Sequence, residues 1–179
     1  MKKICLFGGP GLGKSTTAAR LFSDLKACGQ HAEYASEFIK QWAYLKRVPR
    51  GYDQLFIFGS QIHAEDVLRQ AGVAVVVSDS PVLMQCAYAK KHGCPYWADM
   101  VRIAGDYESS WTTLNLFLGR EGIPYRQDGR YEDAGQAAEM DEFMAEFLGD
   151  CGVQFLRADA AKYEEIWRLA SDFLEISPG

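Results

Sequence analysis

Apolar residues in this chain follow two spacings that alternate from one end to the other. Five short, largely apolar segments predict strands, at residues 3–7, 31–35, 73–77, 114–118 and 153–156. Apolar residues at helical spacing predict helices at 15–26, 37–45, 53–70, 82–91, 96–107 and 160–174. One more helix is predicted to begin after Asp133, with Asp133 as N-cap and Gln136 as N3 residue, and its apolar face ends at Leu148. This alternation predicts an α/β fold, with a parallel sheet that helices cover on both faces.

The length and composition favour one compact domain over residues 1–179. The chain has 179 residues, of which 48% are hydrophobic, and no repeats or low-complexity linkers divide it. This is enough to bury one good core. The formal net charge of −5 argues against a protein that holds nucleic acid through an overall basic surface, although it leaves room for a local basic patch.

The cysteines and the N-terminal residues predict the cellular compartment of the protein. The five cysteines are scattered, without a C-x-x-C pair, which is typical of reduced thiols in a cytosolic protein. The first strand follows Met1 directly, leaving no room for a signal peptide, and no apolar stretch approaches the ~20 residues needed to cross a bilayer. We therefore expect a soluble, cytoplasmic protein without a membrane partner.

The strongest motif in the chain lies between the first strand and the first helix. It is a full match to the phosphate-binding loop pattern G-x-x-x-x-G-K-[ST], made by Gly8, Gly9, Pro10, Gly11, Leu12, Gly13, Lys14 and Ser15, with Thr16 next. Glycines let backbone N–H groups converge on a phosphate, Lys14 reaches the outer phosphates, and the Ser15 hydroxyl can ligate Mg²⁺. The helix that follows adds its N-terminal partial charge. The pattern predicts a site for ATP and Mg²⁺.

A second candidate for the chemistry is Asp79, which follows the most uninterrupted apolar strand. In a parallel sheet, ligands bind at the carboxyl ends of the strands, and an acid there commonly assists Mg²⁺ in proteins with a phosphate-binding loop. Ser78 separates the apolar run from Asp79, so the carboxylate could point differently from the usual one. The alternative is structural: Asp79 or Ser80 could cap a helix that begins at Pro81.

Glu37 follows the second strand, where it could overhang the terminal phosphate of a nucleotide. A kinase that acts on a hydroxyl needs a carboxylate to accept or orient the proton, and Glu37 is a candidate for this base, with Asp79 as its competitor. Alternatively, Glu37 is an ordinary acid in the first turn of a helix, where it suits the helix dipole.

The polar loop at 119–130 carries three arginines, Arg120, Arg126 and Arg130, between glycines. Arginines brought over a nucleotide stabilise the charge on the phosphoryl group in the transition state. The loop follows the fourth strand, which is where small kinases with a phosphate-binding loop carry a lid. The alternative is a solvated surface loop.

One stretch, residues 38–56, differs in charge from the rest of this acidic protein. It combines aromatic residues with Lys40, Lys46, Arg47 and Arg50, and Asp53 is its only acid. A basic stretch with aromatics is typical of a site for phosphate backbone and stacked bases. Aromatic residues at helical spacing are, alternatively, part of the core.

Taken together, several motifs resemble a family of small P-loop ATPase and kinase proteins common in bacteriophages. The resemblance rests on residues 8–16, the Glu37 region, Asp53-Gln54-Leu55, Ser78-Asp79-Ser80-Pro81, and the run at 125–130 before an acidic amphipathic helix. The family is similar to nicotinamide riboside kinases and nucleotide kinases, and includes DNA kinases that phosphorylate hydroxymethyluracil. The resemblance implies a five-stranded parallel sheet in the order 2-3-1-4-5, with ATP and Mg²⁺ as cofactors. It also implies the cytoplasm of the host cell if the protein is encoded by a phage.

The acceptor is therefore expected to be a hydroxyl-bearing nucleobase in DNA or a nucleoside-like or nucleotide-like small molecule. Nucleotide kinases usually carry Asp-Arg where this chain has Asp79-Ser80, which argues against ordinary monophosphate kinase activity. A GTPase switch needs N-K-x-D, but Asn115 is the only asparagine in the chain. An ATPase without a small acceptor, a non-enzymatic nucleotide-binding protein and a homo-oligomeric assembly stay open at this stage.

Overall fold

A computed structural model describes residues 1–123 and 133–176. Strands and helices alternate along the chain as the apolar pattern predicts. The strands are β1 (Lys2–Phe7), β2 (Ala32–Ala35), β3 (Val75–Ser78), β4 (Thr112–Gly119) and β5 (Leu156–Asp159). The helices are α1 (Lys14–Ala27), α2 (Lys40–Tyr44), α3 (Asp53–Gln70), α4 (Val82–Lys91), α5 (Trp97–Glu108), α6 (Ala134–Asp150) and α7 (Tyr163–Leu174).

The five strands form one parallel sheet in the order β2-β3-β1-β4-β5, which confirms the predicted fold class. The central strand β1 pairs with β3 on one side and with β4 on the other. Because all five strands are parallel, their carboxyl ends lie at one edge of the sheet. The segments after β1, β2 and β3 therefore meet at that edge.

Successive residues of β1 alternate between two apolar layers. Ile4 and Leu6 pack with residues of α1 and α7, whereas Cys5 and Phe7 pack with residues of α4, α5 and α6 on the other face. All four side chains are buried, because a strand with helices on both faces has no solvent-facing side. Burial on both faces holds β1, and with it the start of the phosphate-binding loop, in a fixed place.

The end strand β5 lies three residues later than predicted. The expected strand was 153–156, but Leu156–Asp159 pairs with the end of β4. The apolar residues before β5 serve packing instead: Val153 and Phe155 are partly buried against the apolar layer that contains Phe117, and the Phe155 ring centroid is 5.3 Å from that of Phe117. Their apolar character reflects burial outside the sheet, which the pattern alone does not distinguish from a strand.

The second helix is also shorter than predicted. The expected helix was 37–45, but α2 begins at Lys40 and ends at Tyr44. Glu37 therefore precedes the helix, and the interpretation of Glu37 as an acid in the first helical turn is wrong. By contrast, the predicted start of α6 is confirmed, because Asp133 and Gln136 form a reciprocal capping box.

Candidate active site

The phosphate-binding loop connects β1 to α1 at the carboxyl edge of the sheet. Gly8, Gly11 and Gly13 have positive φ angles of 129°, 84° and 76°, which side chains other than glycine rarely adopt. Gly9 is constrained by space instead, because a Cβ there would lie 2.7 Å from the carbonyl oxygen of Ala137. Helix α1 has no side-chain cap, so its first N–H groups are left for an anion.

Lys14 reaches back over the loop from the first residue of α1. Its Nζ donates to the carbonyl oxygens of Gly8 at 2.8 Å and of Gly9 at 2.7 Å. Burial lowers the pKa of Lys14, while the carboxylates of Glu37, Asp79 and Asp141 act in the opposite direction. Lys14 thus lies over the loop, in the position where the motif predicts contact with the outer phosphates.

The entrance of the loop is held by a pair of charged residues, Arg120 and Asp141. Asp141 in α6 accepts the Gly9 N–H at 2.5 Å and the Arg120 Nε at 2.7 Å, and the Arg120 Nη2 donates to the Pro10 carbonyl oxygen at 2.9 Å. Arg120, predicted to act from a lid, thus lies directly after β4 and contacts the backbone of the loop. The other two arginines of the predicted lid, Arg126 and Arg130, lie outside the described residues.

Asp79 follows β3 and is buried, with 2% of its surface exposed. It is not the N-cap of α4, since that position is Pro81, with no side-chain cap. The helix-cap interpretation of Asp79 is therefore wrong. One carboxylate oxygen, Oδ2, accepts the Tyr34 hydroxyl at 2.7 Å, and the other, Oδ1, is buried without a hydrogen-bond partner among the described residues.

The donor set around Asp79 fits the Mg²⁺ that the motif predicts. A buried carboxylate oxygen without a partner is costly unless a cation or a cation-bound water occupies its free side. Tyr34 contacts the Asp79 carboxylate and also interacts with the Ser15 side chain, so one phenol links the two residues predicted to hold the metal. Hard oxygen ligands from a carboxylate and a hydroxyl are the kind that Mg²⁺ prefers.

A cavity of about 390 Å³ opens beside the phosphate-binding loop. Residues 10–16 form one wall, and Glu37 shares the cavity with them. The rest of the lining combines aromatic, amide and basic side chains, among them Lys40, Tyr44, Gln54, Gln85 and Tyr88. Gln54 and Gln85 are buried, and Gln85 donates to the Ser80 hydroxyl at 2.6 Å. The cavity thus extends from the phosphate site into a pocket with polar groups and aromatic surfaces.

The aromatic residues of the stretch 38–56 divide into a buried and an exposed set. Trp42 is buried and packs with Phe38 and Phe56. Tyr44, Tyr52 and Phe56, however, are 67%, 66% and 56% exposed. Three basic side chains, Lys46, Arg47 and Arg50, are exposed as well. We call these six residues the basic aromatic rim: Tyr44, Lys46, Arg47, Arg50, Tyr52 and Phe56. The alternative that these aromatics are core is therefore confirmed for Trp42 and wrong for Tyr44, Tyr52 and Phe56.

Two residues of this site were missed by sequence reasoning. Tyr34 lies within a predicted strand, where a tyrosine is an ordinary β-former. Asp141 lies in an amphipathic helix rich in acids, so its contact with the loop, 132 residues earlier in the chain, has no local signal. Alternation in β2 indicates only that Tyr34 and Glu33 face opposite sides of the sheet.

Comparison with known proteins supports the fold and the loop. A family model described as an AAA domain matches residues 3–165. No curated protein sequence gives a significant match. Within the described ranges 1–123 and 133–176, no helix has the length and apolar character of a membrane span.

Three solved structures are similar in fold. NadR in complex with NR superposes with a TM-score of 0.74 at 14% identity, covering 99% of this chain and 53% of NadR. NadR with NAD and AMP-PNP has a TM-score of 0.72 at 13% identity, with 99% and 51% coverage. YorR from Bacillus subtilis, in complex with phosphorylated GDP, has a TM-score of 0.59 at 17% identity, with 97% and 96% coverage.

The present chain thus spans about half the length of the NadR chains and nearly all of YorR. At these identities the similarity shows a shared fold, which in this chain is the parallel sheet in the order β2-β3-β1-β4-β5. The match to the family model spans most of the chain, because it includes the phosphate-binding loop, all five strands and most of the helices. The chain belongs to this family of AAA domain proteins.

Proposed function

We propose that this protein is a Mg²⁺-dependent kinase, which transfers the γ-phosphate of ATP to a hydroxyl group. The observation that carries the proposal is the shared cavity: the phosphate-binding loop and Glu37 line the same 390 Å³ space as an aromatic and amide-lined pocket. An ATPase without an acceptor needs only a water beside the γ-phosphate. A pocket of this size beside the loop suits a second substrate.

In this proposal, the acceptor oxygen attacks the γ-phosphorus, the bond from that phosphorus to its bridging oxygen breaks, and ADP leaves. Glu37 accepts or orients the proton of the acceptor hydroxyl. Lys14 and the N–H groups of residues 11–16 hold the phosphates, and Ser15 and Asp79 would hold Mg²⁺. The metal, when bound, neutralises charge on the phosphate oxygens. Arg120 acts from the entrance of the loop, with Arg126 and Arg130 proposed as further phosphate contacts.

For the acceptor we propose a hydroxymethyl group on a base in DNA, with hydroxymethyluracil as the specific candidate. The basic aromatic rim supports this proposal, because it borders the cavity through Tyr44 and presents cations and aromatic rings to solvent. A strand of DNA needs cations for its phosphates, and its target base must leave the stack and enter a pocket.

A free nucleoside-like molecule is the second candidate. Its support is the pocket itself, whose lining among the described residues contains two buried amides and, apart from Lys14 of the loop, one lysine, Lys40. Amides recognise the edges of bases and sugars, whereas a monophosphate acceptor would need more cations. The fold similarity to NadR in complex with NR is consistent with this candidate.

The two candidates differ in the part played by the rim. ATP labelled at the γ-phosphate is offered to hydroxymethyluracil-containing DNA, to the free nucleoside, to nicotinamide riboside and to nucleoside monophosphates. For a DNA acceptor, transfer falls with added salt, and the double variant Lys46→Glu with Arg50→Glu raises KM for DNA but not for ATP. Arg47 is left intact because its guanidinium lies 3.5 Å from the Trp42 ring and pairs with Asp53.

A charge-matched control removes the effect of net charge. Arg102→Glu with Arg168→Glu makes the same change at two exposed arginines of α5 and α7. For a DNA acceptor this control keeps the wild-type KM for DNA. Efficient transfer to a free nucleoside, insensitive to the rim variant, would assign the protein to the small-molecule kinases. Hydrolysis of ATP without transfer to any acceptor would contradict the kinase proposal.

A further inference from the structure

Tyr34 occupies an unusual position for a residue outside the sequence motifs. Its ring extends from β2 to the carboxyl edge of the sheet, where the hydroxyl donates to Asp79 Oδ2 at 2.7 Å. The same hydroxyl interacts with the Ser15 side chain. The phenol is the donor in the contact with Asp79, because an ionised carboxylate can only accept a hydrogen bond.

We propose that Tyr34 is a positioning residue for the metal site: by holding Asp79 Oδ2, it aims Oδ1 at Mg²⁺ or its bound water. This inference rests on the proposed function, since it assumes that Asp79 serves the metal. A carboxylate on a short side chain can rotate about its last bond. The Tyr34 hydrogen bond occupies one oxygen and thereby fixes the direction of the other, which has no partner among the described residues.

The burial of Asp79 makes this restraint effective. With 2% of its surface exposed, the carboxylate has little access to bulk water that could replace a lost protein donor. Tyr34 is then the donor that both neutralises part of the charge on Oδ2 and keeps the carboxylate plane in place. Outer-shell groups of this kind typically change metal affinity by about 10- to 100-fold when they are removed.

The chain offers a matched control for this hydrogen bond. The hydroxyl of Tyr163 in α7 donates to Asp24 Oδ2 in α1 at 2.6 Å, in a second tyrosine–carboxylate pair outside the cavity. Tyr163→Phe therefore removes the same chemical group from the same type of contact. Any general effect of losing such a bond appears in both variants, while an effect on the metal appears only in Tyr34→Phe.

The experiment measures Mn²⁺ binding to the 179-residue chain saturated with AMP-PNP, by electron paramagnetic resonance, for wild type, Tyr34→Phe, Tyr163→Phe and Asp79→Asn. We expect Tyr34→Phe to weaken Mn²⁺ binding about tenfold or more. Its affinity for AMP-PNP in EDTA stays at the wild-type value, because the phenol acts on the metal rather than on the loop. Tyr163→Phe matches wild type in both measurements.

The outcomes separate this inference from the proposed function. Wild-type Mn²⁺ affinity in Tyr34→Phe, together with a loss in Asp79→Asn, would overturn the positioning role and leave the kinase proposal intact. Unchanged Mn²⁺ affinity in Asp79→Asn would remove Asp79 from the metal site and overturn both the inference and the metal-binding role proposed for Asp79. If Tyr34→Phe loses as much affinity for AMP-PNP in EDTA as it loses for Mn²⁺, the tyrosine has a structural role, and this result would also overturn the inference.

Discussion

Replacing Asp141 by alanine tests the link between α6 and the phosphate-binding loop. The Asp141 carboxylate accepts the Gly9 N–H and the Arg120 Nε, and Arg120 in turn donates to the Pro10 carbonyl oxygen. Alanine at this position leaves the Gly9 N–H and the Arg120 guanidinium without their anion. The loop then loses the contacts that hold its entrance, while β1 and α1 on either side stay packed.

The magnitude follows from the two charge-assisted hydrogen bonds that disappear. Such a bond contributes about 1.5–3 kcal/mol when it is buried. The Arg120 and Asp141 side chains are 21% and 18% exposed, so water compensates for part of the loss. We therefore expect a decrease of about 2 kcal/mol in the free energy of unfolding. For a chain of this size, 2 kcal/mol lowers Tm by about 4–8 °C.

Calorimetry and nucleotide binding measure the two consequences separately. Asp141→Ala should lower Tm by this amount and weaken binding of AMP-PNP, because Gly9 and Pro10 no longer have a fixed geometry. Asp172→Ala is the control, since it breaks an exposed Arg168–Asp172 pair at 3.4 Å and should change stability by less than about 1 kcal/mol. If Asp141→Ala and Asp172→Ala behave alike in both measurements, Asp141 does not hold the loop.

Two further predictions concern the proposed catalytic lysine and a partly buried acid. Lys14→Ala should abolish phosphoryl transfer but keep Tm within a few degrees of wild type, because Lys14 contacts loop carbonyls rather than the core; retained turnover would contradict its proposed role. Burial raises the pKa of Glu108 above its usual value of 4.5; the Lys3 ammonium is the next largest cause and lowers it, and the Glu65 carboxylate raises it. The folded state therefore holds this proton more tightly than the unfolded state, so the stability of wild type relative to Glu108→Gln should fall as the pH rises above 4.5 in urea unfolding series. If the stability of wild type relative to Glu108→Gln rises above pH 4.5, the expected direction is contradicted.

Local sequence determined the features that depend on short-range chemistry. The order of strands and helices follows from apolar spacing, and the phosphate-binding loop follows from glycines and a lysine at fixed positions. The start of α6 follows from Asp133 and Gln136, which bond within one helical turn. Each of these rests on residues a few positions apart, so the physical cause is present in the sequence itself. The sheet order came from a family resemblance, because alternation alone is compatible with several orders.

Tertiary structure alone decided which distant side chains meet at the site. Tyr34 and Asp79 are 45 residues apart, and Gly9 and Asp141 are 132 apart, yet each pair is within hydrogen-bond distance. Whether an aromatic residue of the stretch 38–56 is buried, like Trp42, or exposed, like Tyr44, depends on which side of α2 the rest of the chain covers. The apolar run before β5 is misleading for the same reason, because packing and strand pairing require similar residues. Local spacing specifies what a residue prefers, and only the folded chain supplies its partners.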